Sequence, residues 1–587
     1  MTLMAIYTGG AYISYSEIYD RRPDASEVVG LLHGLNRLHT VLLMSRVNAH
    51  LRHAMQSPGR DELNWVQGFL VGNFVDDPTL ARLRERFPET VMRDRPLFHP
   101  LQVLSMLRLA AANCEGDEQQ RPDESAALRF QLGTACLMMN DLLVSEPEEL
   151  VIAKGAPDER ERQLMAQLLT MWEVMNPANA HHLLLRSHVL FRVLLKDEKI
   201  CAEIRGQCRG FDVEAQFLRI AGIDFNKWLS LVFASYAYYM GRRKEELLEQ
   251  PQSFIIDRQA FIAQSAVTQD EMDAFLATVG VPFADLVASV SKERPADPRF
   301  DFVPFRAHPL YVIGEGDFAC IDVALLLEKM YSGVHWLIHD GLPKCDRDDL
   351  FKAWGLLFER YVHWLFVGSR LPAAYVPFPQ WEDGQESFDG AFLRESLLVP
   401  LEYKGGFLSQ EAKYSARSEA LTNELERKVV PGCDQLASKI GGLFNSDSSK
   451  RKKVPAIPVQ HVRRVLPVLI VQDHALRGLS INWWLNRRFA ELMSARPLRG
   501  GVEVLPLNVV NIEDLETLVE SSDGGVFDFI YSLHNKAVRD PEMKQQLHNY
   551  LLGAPGYGSL DGARWKDVDQ QIRSAMFSYT FPNEWRA

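Results

Sequence analysis

The spacing of apolar residues changes near residue 300, and this change limits the fold more than any other feature of the sequence. Before it, apolar side chains recur every three or four positions, which is the period of an amphipathic helix. The clearest run is Val28, Leu31, Leu32, Leu35, Leu38, Val41 and Leu42. Beyond it, short apolar runs bounded by glycine or proline alternate with helical stretches, which is typical of strands. The chain therefore predicts a multidomain protein, in which an all-α N-terminal half precedes an α/β domain with a mixed central sheet.

The predicted division lies at a charged, proline-containing stretch, residues 294–304, because such stretches interrupt regular structure. Upstream of it, further helices are predicted at residues 101–112, 126–143, 164–174, 182–195 and 217–239. We therefore divide the 587 residues into 1–300 and 301–587. We expect the first region to be a sensor, regulatory or partner-binding domain.

Strands and helices are interspersed after the division. The elements predicted there are a hairpin over 309–321, helices at 323–339, 348–366 and 434–444, extended segments at 387–393, 397–404, 465–472 and 502–507, and a helix after Glu513. Residues 445–453 are rich in serine and then basic, which predicts a mobile loop.

Charge and composition exclude several classes of protein. The longest apolar run near the middle of the chain, residues 228–240, is too short to cross a bilayer, and residues 1–10 lack the basic start of a signal peptide. We therefore expect a cytoplasmic protein without a membrane partner. Seven cysteines without paired spacing indicate neither a disulfide framework nor a zinc site. The net charge is −13, yet residues 403–464 hold twelve basic and six acidic side chains, so a polyanion would have to bind locally.

Three charged residues in the apolar extended segments 387–393 and 397–404 are the candidate catalytic residues. Glu402 and Lys404 are two positions apart, so on a strand they project from the same face. If the pair is a hairpin with an even-numbered loop, Asp389 lies opposite an even-numbered residue such as Pro400, and its carboxylate shares that face. Two carboxylates and an amine would then converge.

Converging carboxylates are costly unless a cation lies between them, and Mg²⁺ or Mn²⁺ prefers oxygen ligands of this kind. Such a centre is suited to phosphodiester hydrolysis, with Lys404 orienting the nucleophile or neutralising charge. The bare triplet Glu-x-Lys is uninformative, since it also occurs in polar surroundings at 411–413, 426–428 and 542–544. The alternative is a surface salt bridge along a sheet edge.

In this context the segment resembles the PD-(D/E)XK, or restriction-endonuclease-like, nuclease superfamily over residues 310–518. The resemblance implies that Asp389 and Glu402 bind the metal ion, that the Tyr403 backbone carbonyl is a further ligand, and that Lys404 is the motif lysine. It also implies supporting roles for Glu359 on the preceding helix and for Gln435, with Lys439, on the following one. No proline immediately precedes Asp389, where Ser387 and Phe388 stand, which departs from the motif.

Nucleic acid is the expected partner, with DNA favoured over RNA. Basic residues predicted to contact its backbone are Lys413, Arg417, Lys439, Lys450, Arg451, Lys452 and Lys453. For 450–453 the alternative is a solvated loop.

The predicted function is a Mg²⁺-dependent phosphodiesterase, an endonuclease rather than an exonuclease. Fusion to a large helical region resembles bacterial anti-phage defence effectors, and the helical half would then recognise a phage or host trigger or self-associate. The alternatives are a noncatalytic nucleic-acid-binding or scaffold protein with a degenerate nuclease fold, and a DNA repair nuclease.

Overall fold

The chain is mostly helical, with a mixed sheet in its C-terminal part. The structure, a computed structural model, describes residues 12–56, 60–116, 125–143, 157–241, 251–294, 299–368, 375–478, 481–520, 526–543, 566–572 and 574. Part of the predicted boundary stretch, residues 295–298, lies outside the described residues. None of the described helices is long and apolar enough to cross a bilayer.

The N-terminal part is helical throughout its described length, apart from one short strand near its end. Its helices are α1 (Tyr15–Tyr19), α2 (Ala25–Leu32), α3 (Arg37–Gln56), α4 (Arg60–Phe74), α5 (Asp77–Arg86), α6 (Glu89–Asp94), α7 (Pro100–Asn113), α8 (Ala126–Leu143), α9 (Pro157–Met175), α10 (Ala180–His188), α11 (Glu198–Gln207), α12 (Val213–Ala221), α13 (Phe225–Gly241), α14 (Arg258–Gln264), α15 (Gln269–Val279) and α16 (Phe283–Ser291). The predicted helices at 101–112, 126–143 and 164–174 are confirmed.

Two predicted helices differ from the structure. Residues 217–239 form two helices, because α12 ends at Gly222, which adopts a left-handed φ of 69°, and Asp224 then accepts the first backbone N–H groups of α13. Residues 182–195 begin as α10 but continue from Val189 as a π-helical turn.

A small three-stranded sheet joins the two predicted regions. Strand β1 (Gly280–Pro282) pairs in parallel with β2 (Leu310–Ile313), which pairs antiparallel with β3 (Asp317–Cys320). The predicted hairpin is confirmed. Because β1 precedes residue 300 and its partner follows it, backbone pairing crosses the predicted boundary.

A seven-stranded mixed sheet organises the C-terminal part. Its strands are β4 (Tyr375–Pro377), β5 (Gly390–Arg394), β6 (Leu397–Lys404), β7 (Arg464–Val465), β8 (Val468–Val471), β9 (Glu503–Val504) and β10 (Asn508–Asn511). The main order is β10-β8-β6-β5-β4, with β7 between β6 and β9. Strands β4, β5 and β6 are antiparallel neighbours, whereas β8 and β10 run parallel to β6.

Proline divides two segments that the sequence predicts as single strands. Residues 465–472 are shared between β7 and β8, with Pro467 between them, and residues 502–507 contain only β9, with Pro506 before β10. Proline lacks the N–H that continues a sheet ladder, so each strand is interrupted there.

Helices cover both faces of the sheet. Further helices are α17 (Val303–Ala307), α18 (Val323–Glu328), α19 (Val334–Gly341), α20 (Arg347–Gly368), α21 (Gln410–Tyr414), α22 (Ser418–Lys428), α23 (Val430–Leu443), α24 (Ile481–Ser494), α25 (Ile512–Glu520) and α26 (Val526–Arg539), and residues 566–572 are also helical. On β6, Leu398 shares a core with α23, whereas Leu401 shares a different core with α20. Strand β6 is therefore buried on both faces, and polar groups on it need internal partners.

Candidate active site

The β5–β6 hairpin positions the first two candidate residues. Its two-residue turn, Glu395 and Ser396, pairs Arg394 with Leu397 and Gly390 with Leu401. Continuing this register by one residue places Asp389 opposite Glu402, whereas the sequence suggested Pro400 as a partner. The loop is even-numbered as expected, so the structure brings the two carboxylates to one face of neighbouring strands.

Backbone contacts fix the Asp389 carboxylate beside β6. The Tyr403 N–H donates to Asp389 Oδ2 at 2.6 Å, and the Asp389 N–H donates to the Leu401 carbonyl at 3.2 Å. Burial, and after it the negative charge of Glu402, raise the pKa of Asp389 to about 7, with Lys439 opposing them. Two carboxylates thus lie close enough to disfavour simultaneous ionisation.

Glu402 is buried between two lysines. Its side chain is 2% exposed. Lys404 Nζ donates to Oε1 at 2.9 Å, and Lys439 Nζ donates to Oε2 at 2.7 Å. Each oxygen of this buried carboxylate is therefore paired with an ammonium group, as burial of a charged group requires.

Helix α23 supplies the side chains that face the strand. Gln435 Oε1 accepts from Lys404 Nζ at 2.6 Å, and Lys439 follows Gln435 by four residues on the same helix face. Gly432, one turn earlier, allows this approach, since a Cβ there would lie 2.8 Å from Lys404 Cε. Gln435 and Lys439 therefore contact Lys404 and Glu402, and their supporting roles stay a prediction.

Helix α20 brings a third carboxyl group to the site. The pKa of Glu359 is raised to about 8, and burial is the largest cause. The negative charges of Asp389 and Glu386 add to the rise, whereas the positive charge of Arg360 opposes it. The raised pKa favours the protonated form of this carboxyl group. The electrostatic coupling to Asp389 places Glu359 beside the hairpin.

Glu386 is a residue that sequence reasoning missed. It is exposed, yet partial burial and the charge of Glu402 raise its pKa, with Lys439 opposing. Its signal in the sequence was an acidic residue three positions before Asp389. The structure therefore places four acidic groups and two lysines in one neighbourhood.

Lys413 does not face a substrate, and this prediction is wrong. The side chain is 3% exposed and forms ion pairs with Glu173 at 3.3 Å and Asp473 at 2.5 Å. Its helix, α21, packs against α9, and Thr170 donates to the Lys413 carbonyl. The lysine is needed there to neutralise two buried carboxylates, so it cannot bind a phosphate.

The other predicted contact residues lie at the surface or at its edge. Arg417 forms ion pairs with Glu411 and Glu419. Lys450 pairs with Asp447 at 3.8 Å and Lys453 with Glu382 at 3.5 Å. Arg451 donates from Nε to the Asn445 carbonyl at 2.6 Å, and Lys452 Nζ lies 5.2 Å from the centre of the Trp381 ring. Residues 445–453 are thus tied to neighbouring elements, with a short 3₁₀ turn at Ser448–Lys450.

The oxygen donors of Asp389 and Glu402 are the candidate ligands for the metal ion that the resemblance implies. Within the described ranges, no group of three or more His, Cys, Asp or Glu side chains is arranged to hold a metal ion. Mg²⁺ usually keeps several waters and needs only one or two carboxylates. The mutual repulsion of Asp389 and Glu402 is a cost that a cation would relieve, so this pair fits Mg²⁺ or Mn²⁺. A ligand role for the Tyr403 carbonyl stays a prediction.

An open cavity elsewhere contains none of the predicted site residues. Its volume is about 190 Å³, and it is lined by Arg162, Thr422, Glu426, Trp484, Arg487, Arg488 and Glu491. Compared with protein-family models, with curated proteins and with solved structures, the chain matches none.

Proposed function

We propose that the protein is a metal-dependent nuclease that hydrolyses phosphodiester bonds, as an endonuclease with DNA favoured over RNA. The observation that carries this proposal is the convergence of Asp389, Glu402 and Lys404 on one face of the β5–β6 hairpin. Helices α20 and α23 then add Glu359 and Gln435 from either side. A sheet-edge salt bridge would need neither of these helices.

Asp389 and Glu402 would hold the ion, and each remaining side chain has a role that its contacts support. A bound Mg²⁺ supplies Lewis-acid polarisation of the scissile phosphodiester. Lys404 would orient the attacking water and neutralise negative charge on the phosphate, while Gln435 restrains its ammonium group. The Tyr403 N–H holds the Asp389 carboxylate in place.

Cleavage by two point variants tests the proposal. Glu402→Gln and Lys404→Ala should each reduce cleavage of plasmid, single-stranded DNA or tRNA by at least about 100-fold in Mn²⁺, because charged groups at the reacting centre contribute this much. Both variants should stay folded by circular dichroism, with Glu402→Gln melting lower than the wild type because it leaves Lys404 and Lys439 without their buried counter-charge. Glu426→Gln is the matched control, since Glu426 is an exposed glutamate in another Glu-x-Lys triplet, on α22. Full activity of both variants would remove the proposal.

A second candidate function is nucleic-acid binding without catalysis, from a degenerate nuclease fold. It is favoured by the two lysines that already neutralise both oxygens of Glu402. In that case the chain would bind nucleic acid, and neither Mg²⁺ nor Mn²⁺ would produce cleavage on any substrate of the panel. Cleavage that Glu402→Gln abolishes would exclude it.

Host defence against phage is the biological role that we propose, with DNA repair as the alternative. The support is the fusion of a large helical region to the site, which is an argument from architecture alone. Plaque counts on cells expressing the wild type or Glu402→Gln test it. Protection that requires Glu402 supports defence, whereas preference for ends, flaps or junctions without protection supports repair.

A further inference from the structure

A second group of cations lies beyond the C-terminal end of α23. Arg499 donates its backbone N–H to the Phe444 carbonyl, and its guanidinium lies 5.3 Å from the centre of the Phe444 ring. Arg451 and Arg463 are close enough to lower the pKa of Arg499, after the effect of its own burial. We call these three residues the arginine cluster.

The arginine cluster is not neutralised by carboxylates. Among the described residues, none of the three forms an ion pair. Arg451 and Arg499 donate to backbone carbonyls, while Arg499 Nε is buried without a partner. The one nearby carboxylate among the described residues, Asp447, pairs with Lys450, and Arg451 also helps to lower its pKa, so it offsets the charge of the cluster only in part. A helix C terminus is equivalent to about half a negative charge, which compensates for less than one of three guanidinium groups.

Two cations along α23, Lys439 on the helix and Lys452 in the segment that follows it, lie between the active site and the arginine cluster. Lys439 pairs with Glu402, and Lys452 donates its N–H to the Gly442 carbonyl further along the helix. From Gln435 to Phe444 the helix rises about 13.5 Å at 1.5 Å per residue. This length corresponds to about four nucleotides of one duplex strand, at 3.4 Å each.

We propose that the arginine cluster binds a backbone phosphate of the nucleic acid about four nucleotides from the scissile bond, with Lys452 contacting the strand between them. The inference rests on the proposed function, because that function supplies the polyanion and places its cleaved bond at Glu402. It assigns Arg463 and Arg499 to substrate binding and gives the strand a direction along α23.

Salt-dependent binding of nucleic acid tests the proposal. Every chain carries Glu402→Gln and is kept in EDTA, so that no probe is cleaved. The probes are a labelled DNA duplex of about 20 base pairs and its RNA counterpart, long enough to cover the predicted path. The test variant is Arg463→Gln, since this arginine is exposed. Arg93→Gln is the control, because it removes the same charge from an exposed arginine on α6.

Arg463→Gln should weaken binding about threefold to tenfold and reduce the slope of log affinity against log salt by about 0.9, while Arg93→Gln changes neither. The probe that shows the effect identifies DNA or RNA. An unchanged slope for Arg463→Gln, with parental binding intact, would overturn this inference alone. Absence of parental binding to both probes would overturn it together with the proposed function. If Arg463→Gln reduces the slope but the wild-type protein cleaves no substrate, the phosphate site would be supported and the proposed nuclease activity would be rejected.

Discussion

The electrostatics of Asp389 lead to a prediction about stability. Burial and Glu402 raise its pKa from 3.8 to about 7 in the folded chain, so between these values the folded state holds a proton that the unfolded state has released. Stability contributed by this group therefore falls as the pH rises from about 4 to 7. Asp389→Asn removes the ionisable group, so the variant should not lose this stability as the pH rises.

The expected result, in EDTA, is that Asp389→Asn melts about 1–2 °C higher than the wild type at pH 8 and that the difference disappears toward pH 4. Asp383→Asn is the control, because its side-chain oxygen accepts the Gln385 N–H in an exposed turn and an asparagine can do the same. Parallel melting curves for Asp389→Asn and wild type across this range would contradict the assignment.

Lys439 leads to a second prediction about a single residue. Its ammonium group occupies one oxygen of Glu402, so it competes with a divalent cation. Lys439→Gln should lower the Mn²⁺ concentration that gives half of the metal-induced rise in melting temperature, by about threefold to tenfold. Lys450→Gln, which changes an exposed lysine, should not. An unchanged or higher concentration in Lys439→Gln would show that the lysine does not oppose metal binding.

Individual residues differ in how far the sequence predicts their position. The two-residue period of a strand suffices to place Glu402 and Lys404 on one face. A hairpin loop with an even number of residues then places Asp389 on the same face. The burial of Lys413 could not be predicted, because its partner Glu173 lies 240 positions away. Local sequence around Lys413 is polar, and only tertiary packing makes it a buried counter-ion.

At the scale of elements, helix α23 positions the site through a glycine. A Cβ at Gly432 would lie 2.8 Å from both Lys404 Cε and Leu469 Cδ1. Both are ends of flexible side chains, so Gly432→Ala should fold, with Lys404 displaced. We expect cleavage to fall about tenfold, while the melting temperature is kept or raised, since alanine favours a helix by about 1 kcal/mol over glycine.

Gly72→Ala on α4 is the matched control, because nothing lies within 4 Å of the added Cβ. It should gain the same helical preference and keep full cleavage. Full activity of Gly432→Ala would contradict the role assigned to Lys404.

Most elements follow from local patterns in the sequence, and the exceptions have physical causes. Helical period predicts α7, α8 and α20 within a few residues. The break at Gly222 and the interruptions at Pro467 and Pro506 are also visible in the sequence, but residue type alone does not say whether glycine ends a helix or proline divides a strand. Pairing order in the mixed sheet depends on contacts between distant segments, which periodicity does not report.

At the scale of the whole molecule, buried ion pairs join the helical half to the sheet. Arg186 on α10 donates to Glu516 at 2.7 Å, and Glu516 also accepts from His182 and from Tyr361 on α20. Tyr361 lies two residues after Glu359, so this network ties the N-terminal helices to the helix that carries a site residue. The division of function at residue 300 stays a prediction, although packing and β-pairing cross it.

Arg186→Met should destabilise both halves together by about 3–5 kcal/mol, because it leaves part of the charge of Glu516 buried without its partner. Chemical unfolding followed by far-ultraviolet circular dichroism and by tryptophan fluorescence checks this, with exposed Arg93→Met as control. Residues 301–587 expressed alone should lack a cooperative transition. A stable, cooperatively folded fragment, or an unchanged midpoint for Arg186→Met, would contradict the integration of the two halves.

Calorimetric titration of Mn²⁺ into the wild type, Asp389→Asn and Glu402→Gln tests the proposed metal site directly. We predict one ion per chain in the wild type and affinity at least about tenfold lower in each variant, since each removes a charged ligand. A wild type that takes up no Mn²⁺, or variants that take it up as the wild type does, would contradict the account.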